Sequence, residues 1–365
     1  MPILVVWSFL ILFWIAAIYS VSIFPSFQLT LHQFHDPSNY FYFLRQIRHL
    51  LIAIIIWIIV YFIPLDFIKN NKWKIFILTL LFLLLIFTPL WMELNGARWW
   101  LNLPWFWTIQ PWEFVKLGFV IFFAWWLIKK EKLLKSFEWF LAMIIVIWVS
   151  LFLFLLIPDL WTLLILWPTA LILYAYAWGN IKYILSSIAL WIIFLFTIWM
   201  QFSYINQRMQ YFMNPDIDKS MQWIWYQTRQ SLISIWWWGF LWEWYGKWLQ
   251  KFWFIPEAQS DFIFAAFSEE IGFFWNTVLL SLYFLLAYFV IKRLPIVKDT
   301  YYQYLTVGLL SLILWQAFVN IWVNVKIIPL TWLTLPFVSY GWTALMVNII
   351  ELVLLYKILY KGRIY

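Results

Sequence analysis

The most informative residue in the sequence is Asp261, a carboxylate that stands where a polar segment gives way to a long apolar run. A charged side chain is costly inside a bilayer, so one held at the rim of an apolar segment suggests a functional site. The structural alternative is that Asp261 caps a helix beginning at Phe262, which Asp does well. The two roles are compatible, because a capping Asp can also face a cleft.

Basic side chains precede Asp261 in the longest polar segment of the chain, residues 203–260. Arg208, Lys247 and Lys251 lie there, interspersed with Gly239 and Gly246. Such a loop suits an anionic group such as a pyrophosphate, since Lys and Arg contribute charge and Gly lets backbone N–H groups approach. Basic loops are common, so it is the position just before Asp261 that gives this one weight.

A second charged pair, Glu113 and Lys116, lies at the start of another apolar run. Residues three apart are neighbours on a helix and can form an ion pair. Inside a membrane span such charges are tolerated when paired or facing a polar cavity. We therefore predict a structural ion pair that clamps two spans, in preference to a substrate contact.

His32, His35 and Asp36 are the one grouping whose residue types suit a metal ion. No further ligand accompanies them, so a solvated loop over about 25–47 is the better interpretation and no metal site is predicted. The absence of cysteine excludes disulfides, thiolate chemistry and Cys-ligated metals.

The composition is that of an integral membrane protein. Of the 365 residues 66% are hydrophobic and 11% are charged, whereas soluble domains are about 45–50% apolar and about 25% charged. Apolar runs near the roughly 20 residues needed to span a bilayer recur throughout. We predict an all-α polytopic protein, a single membrane domain over 1–365, with ten spans at about 3–24, 49–68, 75–91, 112–128, 138–157, 160–178, 182–202, 262–291, 303–323 and 342–359.

Charge distribution orients these spans. Lys and Arg mark cytoplasmic loops, so the net charge of +8 does not indicate nucleic-acid binding. The short segments 69–74, 129–135, 179–182 and 292–298, with the C-terminal end, carry 14 of the 24 basic residues. This pattern predicts both termini in the cytoplasm and a large extracytoplasmic loop, about 203–260, between spans seven and eight.

Two long motifs carry a resemblance to a known family. P-E-A-Q-S-D-F-I-F-A-A-F-S-E-E-I-G (256–272) and the stretch from Asn320 to Gly341 resemble the signatures of the SEDS family, the RodA/FtsW polytopic glycosyltransferases of bacterial cell-wall synthesis. N-G-A-R-W-W (95–100), Q-P-W-E-F-V-K (110–116) and P-D-L-W-T (158–162) resemble shorter family blocks. The resemblance runs from the first span to the last.

The resemblance implies a peptidoglycan glycosyltransferase that polymerises lipid II on the outer face of the cytoplasmic membrane of a bacterium. Asp261 would be the general base, taking the proton of the acceptor sugar's 4-hydroxyl as it attacks the donor's anomeric carbon with inversion. A divalent cation, Mg²⁺ or Mn²⁺, is the one cofactor considered, for neutralising the leaving group. The substrate-binding residues implied are Arg98, Arg208, Gln230, Ser231, Lys247, Lys251, Glu257 and Ser339.

The family also implies partners: a class B penicillin-binding protein as transpeptidase, and other membrane proteins of the divisome or elongasome. Leu333-Thr334-Leu335-Pro336 and Pro256-Glu257-Ala258 favour the division member FtsW over the elongation member RodA. Two other classes of function stay open. A lipid II flippase would need cavity charges rather than Asp261 in particular, and a non-catalytic scaffold would use aromatic surfaces to recruit partners.

Tryptophan is abundant where glycine is expected. The chain has 33 Trp and 9 Gly, although Gly is normally about 7% of residues. Trp stands at glycine positions of the family in the segment 234–248, and Trp342 stands where the family has the second Gly of S-Y-G-G. We favour a UGA codon meaning glycine that has been read as tryptophan, over interfacial aromatic belts. Ordinary UGG codons at Trp236, Trp238 and Trp342 would refute this.

Overall fold

The computed structural model describes residues 2–94, 97–102, 108–128, 134–157, 160–201, 203–213, 223–236 and 258–361. Most of these residues are helical. The helices are α1 (Pro2–Val21), α2 (Ile23–Phe34), α3 (Phe41–Phe62), α4 (Leu65–Asn70), α5 (Lys72–Leu84), α6 (Pro111–Ile128), α7 (Phe137–Leu156), α8 (Leu160–Tyr176), α9 (Ile181–Gln201), α10 (Ser203–Met213), α11 (Trp223–Trp236), α12 (Ile263–Arg293), α13 (Thr300–Asn324) and α14 (Trp342–Tyr360).

The predicted all-α, multi-pass membrane fold is confirmed. Within the described residues, eight helices are long and apolar enough to cross a membrane: α1, α3, α6, α7, α9, α12, α13 and α14. The other two predicted spans, 160–178 and 75–91, overlap α8, of 17 residues, and α5, of 13 residues, which ends at Leu84. Both are shorter than the roughly 20 residues that a span usually needs, so the total of ten spans stays a prediction.

Two segments predicted as loops contain helices. Most of 25–47 is helical, because α2 covers Ile23–Phe34 and α3 already begins at Phe41. The segment 203–260 contains α10 and α11. In both places the polar side chains alone favour a loop, whereas apolar residues at helical spacing can bury one face of an amphipathic helix.

A small antiparallel sheet, absent from the prediction, precedes α6. Its strands are β1 (Trp91–Leu94), β2 (Ala97–Asn102) and β3 (Thr108–Ile109), paired in that order. Trp91 lies opposite Leu101, and Leu101 lies opposite Ile109. Strands this short depend on their partners more than on local sequence pattern, so the apolar periodicity gave no sign of them.

The chain forms two compact units. The first comprises Met1–Ile52, Ala189–Tyr288 and Gln316–Trp342, and the second comprises Ala53–Ile188, Phe289–Trp315 and Thr343–Tyr365. In the second unit α6 and α14 are the most enclosed spans, with 78% of each buried. Asp261 belongs to the first unit and the Glu113–Lys116 pair to the second. That the whole chain is one membrane domain stays a prediction.

Helix α12 contains a break at Gly272, whose φ of 68° and ψ of −176° are not helical. Glycine adopts this backbone conformation without the steric penalty that a Cβ would bring. The Asn276 side-chain amide donates to the Gly272 carbonyl at 2.9 Å, so a side chain bonds the main chain at the break. The position of the break therefore follows from a glycine.

The C-terminus of α8 contains a tryptophan at a position that usually requires glycine. Trp178 has a φ of 58°, and its N–H donates to the Ala175 carbonyl while the Gly179 N–H donates to the Tyr174 carbonyl. These two bonds define a Schellman motif, in which the residue at the place of Trp178 is usually glycine. The side chain of Trp178 is 81% exposed. This position favours glycine in the natural protein, whereas Trp342 opens α14 without a positive φ.

We expect Trp178→Gly to stabilise the protein by about 1 kcal/mol, because the left-handed conformation costs a non-glycine residue about 1–2 kcal/mol. The measurement is the midpoint of thermal unfolding of the full chain in detergent. Trp178→Ala is the matched control, since it removes the indole and keeps a Cβ at positive φ. An equal gain in both variants would assign the effect to the exposed ring and remove this support for glycine.

Candidate functional site

Asp261 lies at the start of α12, in a loop fixed by two asparagines of α13. Its carbonyl oxygen accepts hydrogen bonds from Asn320 Nδ2 at 2.9 Å and from Asn324 Nδ2 at 3.0 Å. Both asparagines are buried, and Asp261 is half-buried. Two hydrogen-bond donors thus hold the main chain of Asp261, and this fixes the position of the backbone from which its side chain extends.

Asn324 also caps α12. Its Oδ1 accepts the Ala265 N–H at 3.1 Å, one of the first four N–H groups that a helix leaves without an intrahelical partner. The helix begins at Ile263, so Asp261 precedes the first helical residue by two positions and not by the one position expected of a cap. Because Asn324 supplies this capping bond, a cap alone does not explain the carboxylate at 261.

The second family signature is bonded to the main chain next to Asp261. Ser339 Oγ donates to the Ser260 carbonyl at 2.6 Å and accepts the Leu335 N–H at 2.7 Å. The Tyr340 N–H donates to the Gln259 carbonyl at 2.8 Å. The structure therefore brings the two signatures together. The Ser339 hydroxyl is used by protein groups on both sides, and a substrate contact at Ser339 stays a prediction.

Helices α12 and α13 hold the rest of the second signature by side-chain bonds to its carbonyls. Asn320 Nδ2 donates to Leu333 O at 2.7 Å, and Gln316 Nε2 donates to Thr334 O at 3.0 Å. Tyr283 on α12 donates its hydroxyl to Pro336 O at 2.5 Å. A loop whose carbonyls are satisfied this way can stay ordered within a largely apolar protein.

Arg208, predicted to contact the substrate, lies on α10 and is buried. Its Nη1 donates to the Leu330 carbonyl at 2.7 Å, and its guanidinium carbon lies 4.1 Å from the centroid of the Trp332 ring. Both contacts tie α10 to the second signature, and stacking of a guanidinium on indole is favourable. The structure thus gives Arg208 a packing role, and a pyrophosphate contact stays a prediction.

Gln230 and Ser231 are neighbours on α11 with different surroundings. Ser231 is buried, and its hydroxyl donates to the Asn324 carbonyl at 2.8 Å, so it supports the residue that holds Asp261. Gln230 is half-buried, and its Oε1 is enclosed without a hydrogen-bond donor among the described residues. Of the two, Gln230 retains the capacity to bind a ligand.

Four of the predicted substrate residues have side chains outside the described part of the structure. Lys247, Lys251 and Glu257 lie outside the described residues, and so does most of the segment with Trp at glycine positions. Arg98 belongs to β2 of the second unit, and only its backbone is described. The roles assigned to these four residues stay predictions.

The two adjacent glutamates of α12 have different environments, as the angle of about 100° between consecutive helical residues requires. Glu270 is buried and accepts the Ser20 hydroxyl of α1 at 2.5 Å, whereas Glu269 is half-buried. Glu270 therefore ties α12 to α1 within the first unit. Among the described residues no group of three or more His, Asp or Glu side chains has the proximity needed to hold a metal.

The ion pair of the second unit is present and has a third member. Lys116 Nζ lies 2.9 Å from Glu113 Oε2, and both side chains are almost fully buried. Glu351 of α14 is also buried and lies close enough for the charges of Lys116 and Glu113 to act on it. The predicted pair is thus part of a buried group of two acids and one base to which α6 and α14 contribute.

Sequence reasoning missed Asn320, Asn324 and Glu351. A polar side chain within a membrane span is rare and usually has a role. Asn320 and Asn324 are four apart in α13, hence on one face, and Glu351 is the one acid in the last span. These features of the sequence indicate residues with a role. They do not identify the partners, because Asp261 is distant in the chain from Asn320 and Asn324, and Lys116 is distant from Glu351.

Comparison with known proteins gives a consistent result. The family model described as "Cell cycle protein", which covers FtsW, RodA and SpoVE, matches residues 3–364. The chain is 31% identical over 344 residues to a probable peptidoglycan glycosyltransferase FtsW of Lactococcus lactis, covering 82% of this chain and 79% of that protein. It is 31% identical over 303 residues to stage V sporulation protein E of Bacillus subtilis, covering 82% of each.

Solved structures share the fold. A structure described as structural coordination of polymerization and crosslinking by a peptidoglycan synthase complex matches with a TM-score of 0.74 and 22% identity over 95% of this chain and 96% of that chain. The crystal structure of the rod shape determining protein RodA of Thermus thermophilus matches with a TM-score of 0.69 and 19% identity, over 100% and 97% of the two chains. At these identities the likeness concerns the fold.

Proposed function

Because the chain belongs to the FtsW, RodA and SpoVE family of cell cycle proteins, we propose that it is a peptidoglycan glycosyltransferase that polymerises lipid II. One observation carries the proposal most directly. Asp261 is a half-buried carboxylate whose main chain is fixed by Asn320 and Asn324. Catalysis by a general base requires this kind of placement, since the base must meet the reacting hydroxyl within hydrogen-bond distance.

In the proposed reaction, Asp261 accepts the proton of the 4-hydroxyl group of the acceptor sugar. The oxygen attacks the anomeric carbon of the donor sugar from the face opposite its leaving group, so configuration at that carbon inverts. The bond from the anomeric carbon to the lipid pyrophosphate breaks, and the pyrophosphate leaves with the electron pair. A correctly placed base contributes about 10²–10⁴-fold to such a step.

A divalent cation, Mg²⁺ or Mn²⁺, would be held mainly by the pyrophosphate of the substrate. Mg²⁺ is usually bound by substrate phosphates together with one or two carboxylates and not by a cage of protein ligands. Asp261 is not assigned to the cation, because a base beside the attacking hydroxyl is on the opposite face of the donor sugar from the leaving group. When bound, the cation would neutralise charge that develops on the leaving group.

We place the reaction on the outer face of the bacterial cytoplasmic membrane, with both termini in the cytoplasm, on the distribution of Lys and Arg. Several similar proteins are named FtsW, which favours a role in cell division. A similar structure is described as a synthase complex of polymerisation and crosslinking. We therefore propose a penicillin-binding transpeptidase of class B as partner, with other divisome membrane proteins.

The test is polymerisation of labelled lipid II by the purified full chain, with and without a class B penicillin-binding protein, resolved by glycan length. Long glycan strands are the expected product. Movement of a fluorescent lipid II across vesicle membranes without polymer would instead assign a flippase. The absence of both activities, with the partner present, would leave a scaffold and overturn the proposal.

Asn324 yields a prediction about positioning. Asn324→Ala removes one donor to the Asp261 carbonyl and the acceptor for the Ala265 N–H. We expect kcat for polymerisation to fall by about 10²-fold with KM little changed, since a misplacement near 1 Å can cost that much. The measurement is the full dependence of the initial rate on lipid II concentration.

Gln316→Ala is the matched control, because Gln316 is another buried amide of α13 that bonds the second signature at Thr334 and not Asp261. Both variants are expected to lose stability, and the loss of kcat should be confined to Asn324→Ala. An equal fall in kcat in the two variants would mean that Asn324 acts through general stability alone.

A further inference from the structure

The first turns of α3 carry a polar cluster that the proposed reaction does not use. It consists of Arg45, Gln46, Arg48 and His49, and we call it the α3 cluster. Gln46 and His49 are buried, Arg45 is half-buried and Arg48 is exposed. Ionisable side chains on a helix that is long and apolar enough to span a membrane suggest a functional site.

Two donors of the α3 cluster have no acceptor in the described part of the chain. Gln46 Oε1 accepts a hydrogen bond from His49 Nδ1–H at 2.9 Å, while the Gln46 Nε2 amide is enclosed without an acceptor. Arg45 Nε is likewise enclosed without an acceptor, and no described carboxylate forms an ion pair with the Arg45 guanidinium. A buried donor without an acceptor lowers the stability of the protein.

The α3 cluster lies beside the second signature, within the first unit. The Tyr340 ring is centred 5.3 Å from the Tyr42 ring and 6.1 Å from the His49 ring. The same Tyr340 donates its N–H to Gln259, two residues before Asp261. A group bound at the α3 cluster would therefore be near the loop that holds the proposed base.

The chemistry of the missing partner follows from these donors. Two unmet N–H donors and the positive charge of Arg45 call for an oxygen-rich anion, and the guanidinium fork matches phosphate in geometry as well as charge. Leu44 and Leu51, on the same part of α3, are 62% and 57% exposed. Apolar side chains next to a phosphate site suit a ligand whose phosphate continues into a lipid chain.

We propose that the α3 cluster binds the phosphate of a lipid, and that in the reaction this is the pyrophosphate of a polyprenyl-linked sugar; the second part rests on the proposed function. A bilayer phospholipid carries the same chemistry in its headgroup. Arg45 and Gln46 are the residues that make the contact.

The experiment measures binding of polyprenyl pyrophosphate to the full chain in nanodiscs made of phosphatidylcholine, with phosphatidylglycerol as competitor. Arg45→Gln is expected to raise the Kd at least tenfold and to raise KM for lipid II more than it lowers kcat. Lys74→Gln is the matched control, since it removes one exposed positive charge from the second unit, and it should bind as the parent does. Arg45→Lys, which keeps charge and loses the fork, should bind with intermediate affinity.

If Arg45→Gln folds and its Kd is unchanged, the proposal is overturned. If Arg45→Gln does not fold, an unchanged Kd in both Arg45→Lys and Gln46→Leu overturns the proposal instead. Equal competition by phosphatidylglycerol supports a phosphate site and assigns it to bilayer lipid. Because binding is measured without turnover, a parent that binds polyprenyl pyrophosphate but makes no polymer refutes the proposed function alone. A parent that makes polymer while Arg45→Gln binds normally refutes this inference alone.

Discussion

Asp261→Asn is expected to reduce the rate of lipid II polymerisation by about 10²–10⁴-fold, the range of general-base assistance. The asparagine side chain has nearly the same volume as that of aspartate but cannot accept a proton from the attacking hydroxyl at neutral pH. The main-chain contacts of residue 261 to Asn320 and Asn324 do not involve its side chain, so the loop should keep its place. The measurement is the initial rate of glycan formation at saturating lipid II.

The matched control is Asp66→Asn, the same chemical change at an exposed carboxylate of the second unit that accepts the Tyr302 hydroxyl at 3.0 Å. Its rate should stay within about twofold of the parent, as expected for a surface substitution worth less than 0.5 kcal/mol. If the two variants are equally active, Asp261 is not the base. If Asp261→Asn also loses binding of lipid II, its role lies in substrate binding.

The membrane spans were predictable because their pattern is local. An apolar run has to be long enough to cross the bilayer and must satisfy its backbone internally, so α6 and α9 begin and end within a residue of the predicted bounds. The amphipathic helices α2 and α10 were missed because half of each surface is polar, and a span is recognised by hydropathy and not by periodicity. Their existence depends on what their apolar faces contact.

Site residues were predictable where the chemistry itself requires a charged side chain. Asp261 is marked by its charge at the end of an apolar run, whereas Asn324 is uncharged and acts through a carbonyl 63 residues away. The family resemblance assigns Ser231 and Ser339 to the substrate, yet both hydroxyls bond backbone carbonyls. A sequence motif therefore indicates which segments lie together in the fold. The structure is needed to distinguish the residues that react from those that support them.

Glu351 shows the same limit in the second unit. The spacing of Glu113 and Lys116 predicted their pair, since both lie on one helix. No sequence pattern links Glu113 and Lys116 with Glu351, because α6 and α14 are distant in the chain and are brought together only by the tertiary fold. With Glu351 the group contains two acids and one base. This imbalance of charge determines how substitutions of Lys116 and Glu351 should affect the stability of the protein.

Lys116→Met is expected to destabilise the protein by about 3–5 kcal/mol, the cost of removing one partner from a buried ion pair. Lys116 is the base of the buried group, so its loss leaves Glu113 and Glu351 enclosed together without a cation. Methionine fills a similar volume, so the loss would come from charge and not from a cavity. The measurement is the unfolding midpoint of the full chain in detergent, read by thermal shift and by loss of the monodisperse peak.

Glu351→Gln separates charge from packing. Two carboxylates and one ammonium group leave an excess negative charge when all are ionised, and burial disfavours an uncompensated charge. Glu351→Gln removes the excess and keeps the Glu113–Lys116 contact of 2.9 Å, so its stability should equal or exceed that of the parent. The triple variant with Lys116→Met, Glu113→Gln and Glu351→Gln should be more stable than Lys116→Met alone and should recover most of the lost stability. The reason is that a neutral group of similar volume is often tolerated in place of a buried ion pair. A loss in Glu351→Gln as large as that in Lys116→Met would show that shape, rather than charge balance, holds α6 against α14.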